Sequence, residues 1–144
     1  MFLGQFHHSF DDKSRLTVPS RFRDDFSEGV FVIQGFDRNL MVLTAPAFEA
    51  IYQHVMSMNI LDPQARTLRR HIIGKGNQVE LDGSGRILIS QDLRTWAELE
   101  TEVIIVGQGN YFEVWKPELW QKMESQEQSF DAERFKTLNL STRL

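Results

Sequence analysis

Two short segments of the chain place an aspartate four residues ahead of an arginine. One is DDKSR, with Asp11 and Arg15, and the other is DGSGR, with Asp82 and Arg86. An aspartate in a polar turn accepts backbone N–H groups, so we interpret both carboxylates as groups that fix the turn and orient the arginine. A guanidinium held this way can pair bidentately with O6 and N7 of guanine. From the spacing alone, a solvated surface ion pair is an equally good interpretation.

The two segments belong to one internal repeat. The sequence FDDKSRLTVPSRFR at residues 10–23 superposes without gaps on LDGSGRILISQDLR at residues 81–94, at a constant offset of 71 residues. A repeat of this kind indicates that the chain is built from two similar structural units. Because it puts the same arginine at the same place in both copies, the repetition favours DNA contact over a chance ion pair. Matching apolar positions include Leu16 with Ile87, Val18 with Ile89, Phe22 with Leu93 and Val32 with Val103.

Further basic residues lie close to the two turns. Lys13 is at the tip of the first turn, where it is a candidate phosphate contact, and Ser84 replaces it in the second copy. Arg21, Arg23 and Arg94 lie on the short helices that follow, where they serve either as phosphate contacts or as solvated helix faces. The connector arginines Arg66, Arg69 and Arg70 recur at helical spacing and indicate a solvated face or a subunit contact.

Other kinds of chemistry are disfavoured by the residues present. The chain has no cysteine, which excludes thiolate metal ligands and cysteine nucleophiles. His7 and His8 are adjacent, so on a strand they point to opposite faces and cannot bind one ion together. No HExxH, G-x-S-x-G, P-loop or dinucleotide-binding pattern occurs. We therefore predict no metal, no cofactor, no small-molecule substrate and no enzymatic activity.

The charge of the chain is unevenly distributed. The net charge is −4, yet residues 1–94 hold 11 basic and 11 acidic residues, so the acidic excess lies in the C-terminal third. One face can therefore still be positive. The longest uncharged stretch, residues 50–61, is too short to cross a bilayer, and no basic residue precedes the apolar N-terminal residues as in a secretory signal. We predict a cytoplasmic protein with no membrane partner.

Each copy shows the same order of predicted elements. A strand, a tight turn and a second strand form a first hairpin, a short amphipathic helix follows, and a second hairpin closes the copy. Pro46 and Pro117 each open a further helix, and Asp62 with Pro63 opens a second helix in the connector. The predicted units are the first repeat at residues 6–50, a helical connector at 51–77, the second repeat at 78–121, and a helical or partly disordered tail at 122–144.

Neither copy can bury its apolar face alone, because four short strands need a partner sheet. We therefore expect the two copies to pack as pseudo-symmetric halves of a small closed or nearly closed β-barrel. The fold class is mainly β with helices outside the barrel, an α+β protein.

The paired Asp-x-x-x-Arg turns, in a chain that begins MFLG, resemble the MraZ family. The resemblance extends over DDKSRLTVPSRFR, TLRRHIIG, LDGSGRILI and VGQGNYFEVW. It implies an AbrB-like double-split β-barrel and a ring-shaped, octamer-like homo-oligomer. It also implies a nucleoid-associated transcriptional regulator that binds short direct repeats in double-stranded DNA upstream of the bacterial division and cell-wall gene cluster. One departure is Ser14, which stands where the family usually has glycine.

An alternative of a different class stays open. The chain could be a structural or protein-interaction barrel in which the loop arginines hold subunits together. The two hypotheses differ in what the loss of Arg15 and Arg86 removes, which is DNA binding in one and assembly in the other.

Overall fold

Short strands carry the apolar positions that the two repeats share. The structure, a computed structural model, describes residues 1–127 and 132–138 of the 144 residues. The strands are β1 (Gln5–Ser9), β2 (Arg15–Thr17), β3 (Val30–Gln34), β4 (Leu40–Thr44), β5 (Asn77–Val79), β6 (Arg86–Leu88), β7 (Glu102–Gly107) and β8 (Tyr111–Trp115). The helices are α1 (Ala45–Met56), α2 (Pro63–Arg69), α3 (Gln91–Trp96) and α4 (Pro117–Gln126), with 3₁₀ helices at Ser20–Phe26 and Ala132–Leu138 and a π-helical turn at Arg70–Gly74.

Six strands form one antiparallel sheet in the order β1-β7-β8-β4-β3-β5. The hairpins predicted for β3 with β4 and for β7 with β8 are both present. The two repeats join at the centre of this sheet, where β4 pairs with β8 and Leu40 lies opposite Val114. The result is the expected α+β fold of two repeats with a barrel-like core. The ladder does not close into a barrel within the described residues, since β1 and β5 are its edges.

The first hairpin predicted in each repeat is wrong. Each turn forms, but the strands on either side of it separate. In the first repeat only an isolated bridge joins Phe10 to Leu16. β1 pairs instead with β7, and β2 pairs with β6 of the other repeat. In the second repeat, β5 pairs with β3. Exchanging strands in this way lets each repeat cover the apolar face of the other, which a local hairpin would leave exposed.

The main core lies between the six-stranded sheet, the β2–β6 pair and the helices that follow that pair. Its members occupy equivalent positions in the two repeats, as the apolar pattern predicts. Leu16 and Ile87 are fully buried, as are Phe22 and Leu93 at matching helix positions. Burying a side chain of this size contributes roughly 1.5–3 kcal/mol relative to leaving it exposed. These positions therefore fix β2 and β6 against the sheet.

The outer helices begin where proline and capping residues predict. Asp62 caps α2, its side chain accepting the Gln64 N–H at 2.9 Å, and Thr44 caps α1 by accepting the Ala47 N–H at 3.3 Å. Helix α1 packs on Ile33 and Leu43. Helix α4 packs on the β7–β8 side, beside Trp115. The helices thus lie outside the sheet, as expected.

The C-terminal tail predicted for residues 122–144 is described only in part. Helix α4 ends at Gln126, and a 3₁₀ helix covers Ala132–Leu138. Residues 128–131 and 139–144 lie outside the described residues. No helix among the described residues combines the length and apolar character that a bilayer crossing needs.

Candidate nucleic-acid interface

The two Asp-x-x-x-Arg turns have the same hydrogen-bond geometry. In the first, Asp11 Oδ1 accepts the Lys13 N–H and the Arg15 N–H, each at 2.9 Å. In the second, Asp82 Oδ1 accepts the Ser84 N–H and the Arg86 N–H, each at 2.9 Å. Each aspartate thus accepts two backbone N–H groups of its own turn, and its turn-orienting role stays a prediction.

The second carboxylate oxygen of each turn holds the arginine. Arg15 Nε donates to Asp11 Oδ2 at 2.7 Å, and Arg86 Nε donates to Asp82 Oδ2 at 2.8 Å. Both carboxylates use Nε, the nitrogen nearest the aliphatic stem. The terminal amino groups of the two guanidinium groups make no hydrogen bond to any residue in the described part of the chain. They stay available to an outside acceptor.

Hydrogen bonding explains the acidity of the two aspartates. The Arg15 N–H is the largest cause that lowers the pKa of Asp11 below its ordinary value of 3.8, and the Arg86 N–H does the same for Asp82. The side-chain bond from each arginine lowers the pKa further, since a donor and a positive charge favour the ionised carboxylate. Both carboxylates therefore remain charged and keep their arginines oriented at neutral pH.

Strand pairing brings the two arginines together. β2 and β6 form a separate antiparallel pair in which Arg15 faces Leu88, Leu16 faces Ile87 and Thr17 faces Arg86. We call this pair of strands, Arg15–Thr17 with Arg86–Leu88, the arginine ribbon. Leu16 and Ile87 are buried in the core, so the alternate residues form the outer face of the ribbon.

One carboxylate contacts both arginines. Asp11 Oδ2, which accepts from Arg15, also lies 3.7 Å from Nη1 of Arg86 across the ribbon. The side chains of Arg15 and Arg86 are 29% and 30% exposed, so neither is sequestered. Exposed ion pairs add little to stability, so their main effect here is to hold two guanidinium groups side by side. The prediction that both arginines lie on one face agrees with this geometry.

The other predicted phosphate contacts fall into two groups. Lys13 is exposed at the tip of the first turn. Arg21 is also exposed, and its guanidinium carbon lies 5.6 Å from the ring centroid of Phe6, a cation–π contact with the edge strand. Both side chains can reach an external anion.

Arg23 and Arg94, predicted as phosphate contacts or solvated helix residues, also have a structural role. Arg23 Nε donates to the Val18 carbonyl at 3.0 Å, and Arg94 Nε donates to the Ile89 carbonyl at 3.1 Å. Both side chains are half-buried. Each bond ties a helix back to the end of the preceding ribbon strand. The equal spacing of five residues in both repeats was the signal in the sequence that could have indicated it.

The described residues offer little for metal chemistry. They contain no group of three or more histidine, cysteine, aspartate or glutamate side chains that could hold an ion. His7 and His8 alternate in burial along β1, as expected for opposite faces of a strand. Burial is the main cause that lowers the pKa of His8, and the positive charge of Arg23 adds to it.

Known proteins resemble this chain over most of its length. The family described as "MraZ protein, putative antitoxin-like" matches twice, at residues 1–71 and 72–140. A Roseiflexus castenholzii protein named "Transcriptional regulator MraZ" is 43% identical over 125 residues, which cover 87% of each chain. A protein of the same name from Thermomicrobium roseum is 42% identical over 83% of this chain and 84% of its own. Another from Methylobacillus flagellatus is 38% identical over 92% of each chain.

Proposed function

The chain belongs to the MraZ family, and on that premise we propose that it is a transcriptional regulator that binds double-stranded DNA through the arginine ribbon. The observation that carries the proposal is the placement of Arg15 and Arg86 on one outer face, joined through Asp11. The relatives named as transcriptional regulators support the same role. An enzymatic role has no support in the family.

The ribbon has the shape that the major groove admits. An antiparallel pair of strands fits a groove that is about 12 Å wide, and an arginine there can pair with O6 and N7 of guanine. No hydrogen bond within the described residues occupies the terminal amino groups of Arg15 or Arg86, although Nη1 of Arg86 lies 3.7 Å from Asp11 Oδ2. Lys13 and Arg21, both exposed, supply phosphate contacts that position the ribbon. Arg23 and Arg94 contribute through the ribbon that they support, and their terminal groups are secondary phosphate contacts.

A single ribbon offers few contacts, so we propose that assembly supplies the rest. A ring-shaped, octamer-like homo-oligomer would present one ribbon per subunit, and short direct repeats in the DNA would engage several ribbons at once. Linked binding events of this kind raise the overall affinity by roughly 10²–10⁴ without a new contact. The proposed target is the promoter of the bacterial division and cell-wall gene cluster, bound at the nucleoid in the cytoplasm.

The test is a titration of the full chain against the DNA immediately upstream of its own gene, followed by fluorescence anisotropy. Arg15→Ala and Arg86→Ala should each weaken binding by about 5- to 150-fold, because a bidentate contact to guanine is worth about 1–3 kcal/mol. Arg70→Ala is the matched control, since Arg70 is an exposed arginine outside the ribbon. It removes the same charge and should leave the affinity within about twofold.

The oligomeric state of the same samples separates the proposal from the alternative. If the ribbon arginines bind DNA, both variants keep the oligomer of the wild type in light scattering while they lose affinity for DNA. If these arginines hold subunits together instead, the variants dissociate in light scattering. Equal affinity for DNA in variant and wild type would overturn the proposal.

A further inference from the structure

The outer face of the arginine ribbon also presents two side chains that end in methyl groups. Leu88 is 56% exposed, although Ile87 and Ile89 on either side of it are buried. Thr17 occupies the equivalent position in the first repeat and is half-buried. A single exposed leucine is ordinary on a protein surface, so its exposure alone indicates nothing. Its position on the ribbon is what carries the inference.

The four outward residues of the ribbon lie at the corners of a rectangle, two on each strand. Arg15 lies directly opposite Leu88, and Thr17 lies directly opposite Arg86. The arginines therefore occupy one diagonal, and the methyl-bearing residues occupy the other. Directly opposite residues have Cβ atoms about 4.5–5.5 Å apart, so each arginine has a methyl-bearing neighbour within one side-chain width.

The edge of DNA that an arginine would contact carries a matching apolar group. Guanine O6 and N7 and the C5 methyl of thymine all face the major groove, and apolar side chains recognise thymine by contact with that methyl. Arg86 and Leu88 are alternate residues of one strand, which places them roughly 6.8 Å apart. Base pairs are stacked about 3.4 Å apart, so this distance spans about two steps.

We propose that Leu88, with Thr17 at the opposite corner, contacts the C5 methyl of thymine within one or two base pairs of a guanine that Arg15 or Arg86 holds. This inference rests on the proposed DNA-binding function and adds a specificity determinant to it. The arginines select guanine, and the methyl-bearing corners select thymine. The ribbon therefore discriminates against sites in which cytosine replaces the thymine near that guanine.

Replacing thymine by deoxyuridine tests the contact, because it removes the C5 methyl alone. The full chain is first used to select its tightest duplex from a random-sequence pool. Each thymine in that duplex is then replaced singly by deoxyuridine, and the affinities are measured. For the wild type, one or two positions should lose about fourfold in affinity, the factor expected for one buried methyl-sized group. Leu88→Ala should bind the thymine and deoxyuridine duplexes equally at one of those positions.

Matched variants separate the contact from a general loss of apolar surface. Leu61→Ala truncates another exposed leucine, which is outside the ribbon, and should keep the wild-type response to deoxyuridine. Thr17→Val keeps a methyl group and should also keep the wild-type response to deoxyuridine. Thr17→Ser has no methyl group and should lose that response at a second position. Because Leu88 and Thr17 are not in the fully buried core, these changes should leave the fold intact.

The outcomes distinguish this inference from the function on which it rests. If deoxyuridine has no effect at any position while Arg15→Ala still loses binding, the thymine contact is overturned and the DNA-binding function stands. An undiminished response to deoxyuridine in Leu88→Ala and Thr17→Ser would also overturn it. If the wild type selects no duplex, both proposals fail together.

Discussion

The two turns reach one geometry from different residues. At equivalent positions Ser14 has φ of 62° and Gly85 has φ of 76°, both in the left-handed region. Glycine adopts this conformation at no steric cost, whereas serine is strained in it. Each turn is closed by the same backbone bond, from Ser14 N–H to the Asp11 carbonyl at 3.1 Å and from Gly85 N–H to the Asp82 carbonyl at 3.0 Å. The aspartate therefore sets the turn, and glycine is not required for it.

The repeats differ again where each ribbon strand enters its helix. Ser90 accepts the Leu93 N–H at 3.3 Å and caps α3, whereas Pro19 in the first repeat offers no side-chain acceptor. The capped segment is an α-helix, and the uncapped one is a 3₁₀ helix. Phe22 and Leu93 are nevertheless buried at matching positions. The core positions are thus kept while the type of helix that delivers them changes.

Exchanging serine for glycine in the second turn should have the largest effect. A Cβ added at Gly85 would clash with Nε of Arg23, and Gly85 already has a positive φ. Gly85→Ser would displace the guanidinium from the Val18 carbonyl as well as strain the backbone. We expect the free energy of unfolding to fall by about 2–3 kcal/mol, from the sum of left-handed strain and one lost hydrogen bond. Urea denaturation measures this loss.

The same turn provides the control for that substitution. A Cβ at Gly83 would meet nothing within 4 Å, and Gly83 is not among the residues with positive φ. Gly83→Ser should therefore change the free energy of unfolding by less than about 0.5 kcal/mol. If Gly83→Ser and Gly85→Ser lower the free energy of unfolding equally, the clash with Arg23 is not the cause of the loss at Gly85.

Much of the fold was accessible from the sequence because its signals are local. The offset of 71 residues, the β3–β4 and β7–β8 hairpins and the capping of α2 by Asp62 all depend on neighbours in the chain, and the structure agrees with them. The partner of β2 does not depend on neighbours. Leu16 pairs with Ile87 because the apolar faces of both repeats must be covered. This pairing joins strands of different repeats, so it depends on residues far apart in the chain.

The site was predictable to a similar extent. The spacing located Asp11 with Arg15 and Asp82 with Arg86, since an aspartate four residues ahead of an arginine is a local pattern. The contact of Asp11 with Arg86 was not predictable, because it follows from the pairing of the two strands. The role of Arg23 was not predicted, and its one signal in the sequence is the spacing of five residues that the bond from Arg23 to Val18 shares with the bond from Arg94 to Ile89.

The reverse exchange in the first turn should have a smaller effect of opposite sign. Ser14→Gly removes the left-handed strain of about 1–2 kcal/mol and adds an entropic cost of about 0.5–1 kcal/mol in the unfolded chain. We expect a net gain of about 0.5–1 kcal/mol in the free energy of unfolding, measured in urea. If the free energy of unfolding falls instead, the Ser14 side chain stabilises its turn. Backbone strain would then not be the only energetic difference between the two turns.

The smallest expected effect concerns pH, and it separates the two aspartates. Because the pKa of each folded carboxyl lies below the ordinary 3.8, its contribution to stability is present above that value and is lost as the pH falls through the folded pKa. Asp82→Asn should therefore lower the urea midpoint at about pH 7 and approach the wild type only as the pH falls through the folded pKa, which lies below 3.8. Asp11→Asn should show a larger difference at neutral pH, since Asp11 contacts both arginines and Asp82 contacts one. Asp12→Asn removes an equal charge from the exposed tip of the same turn and serves as the control. A difference between wild type and Asp11→Asn that does not change with pH would indicate that the ionised carboxylate is not what holds the ribbon arginines in place.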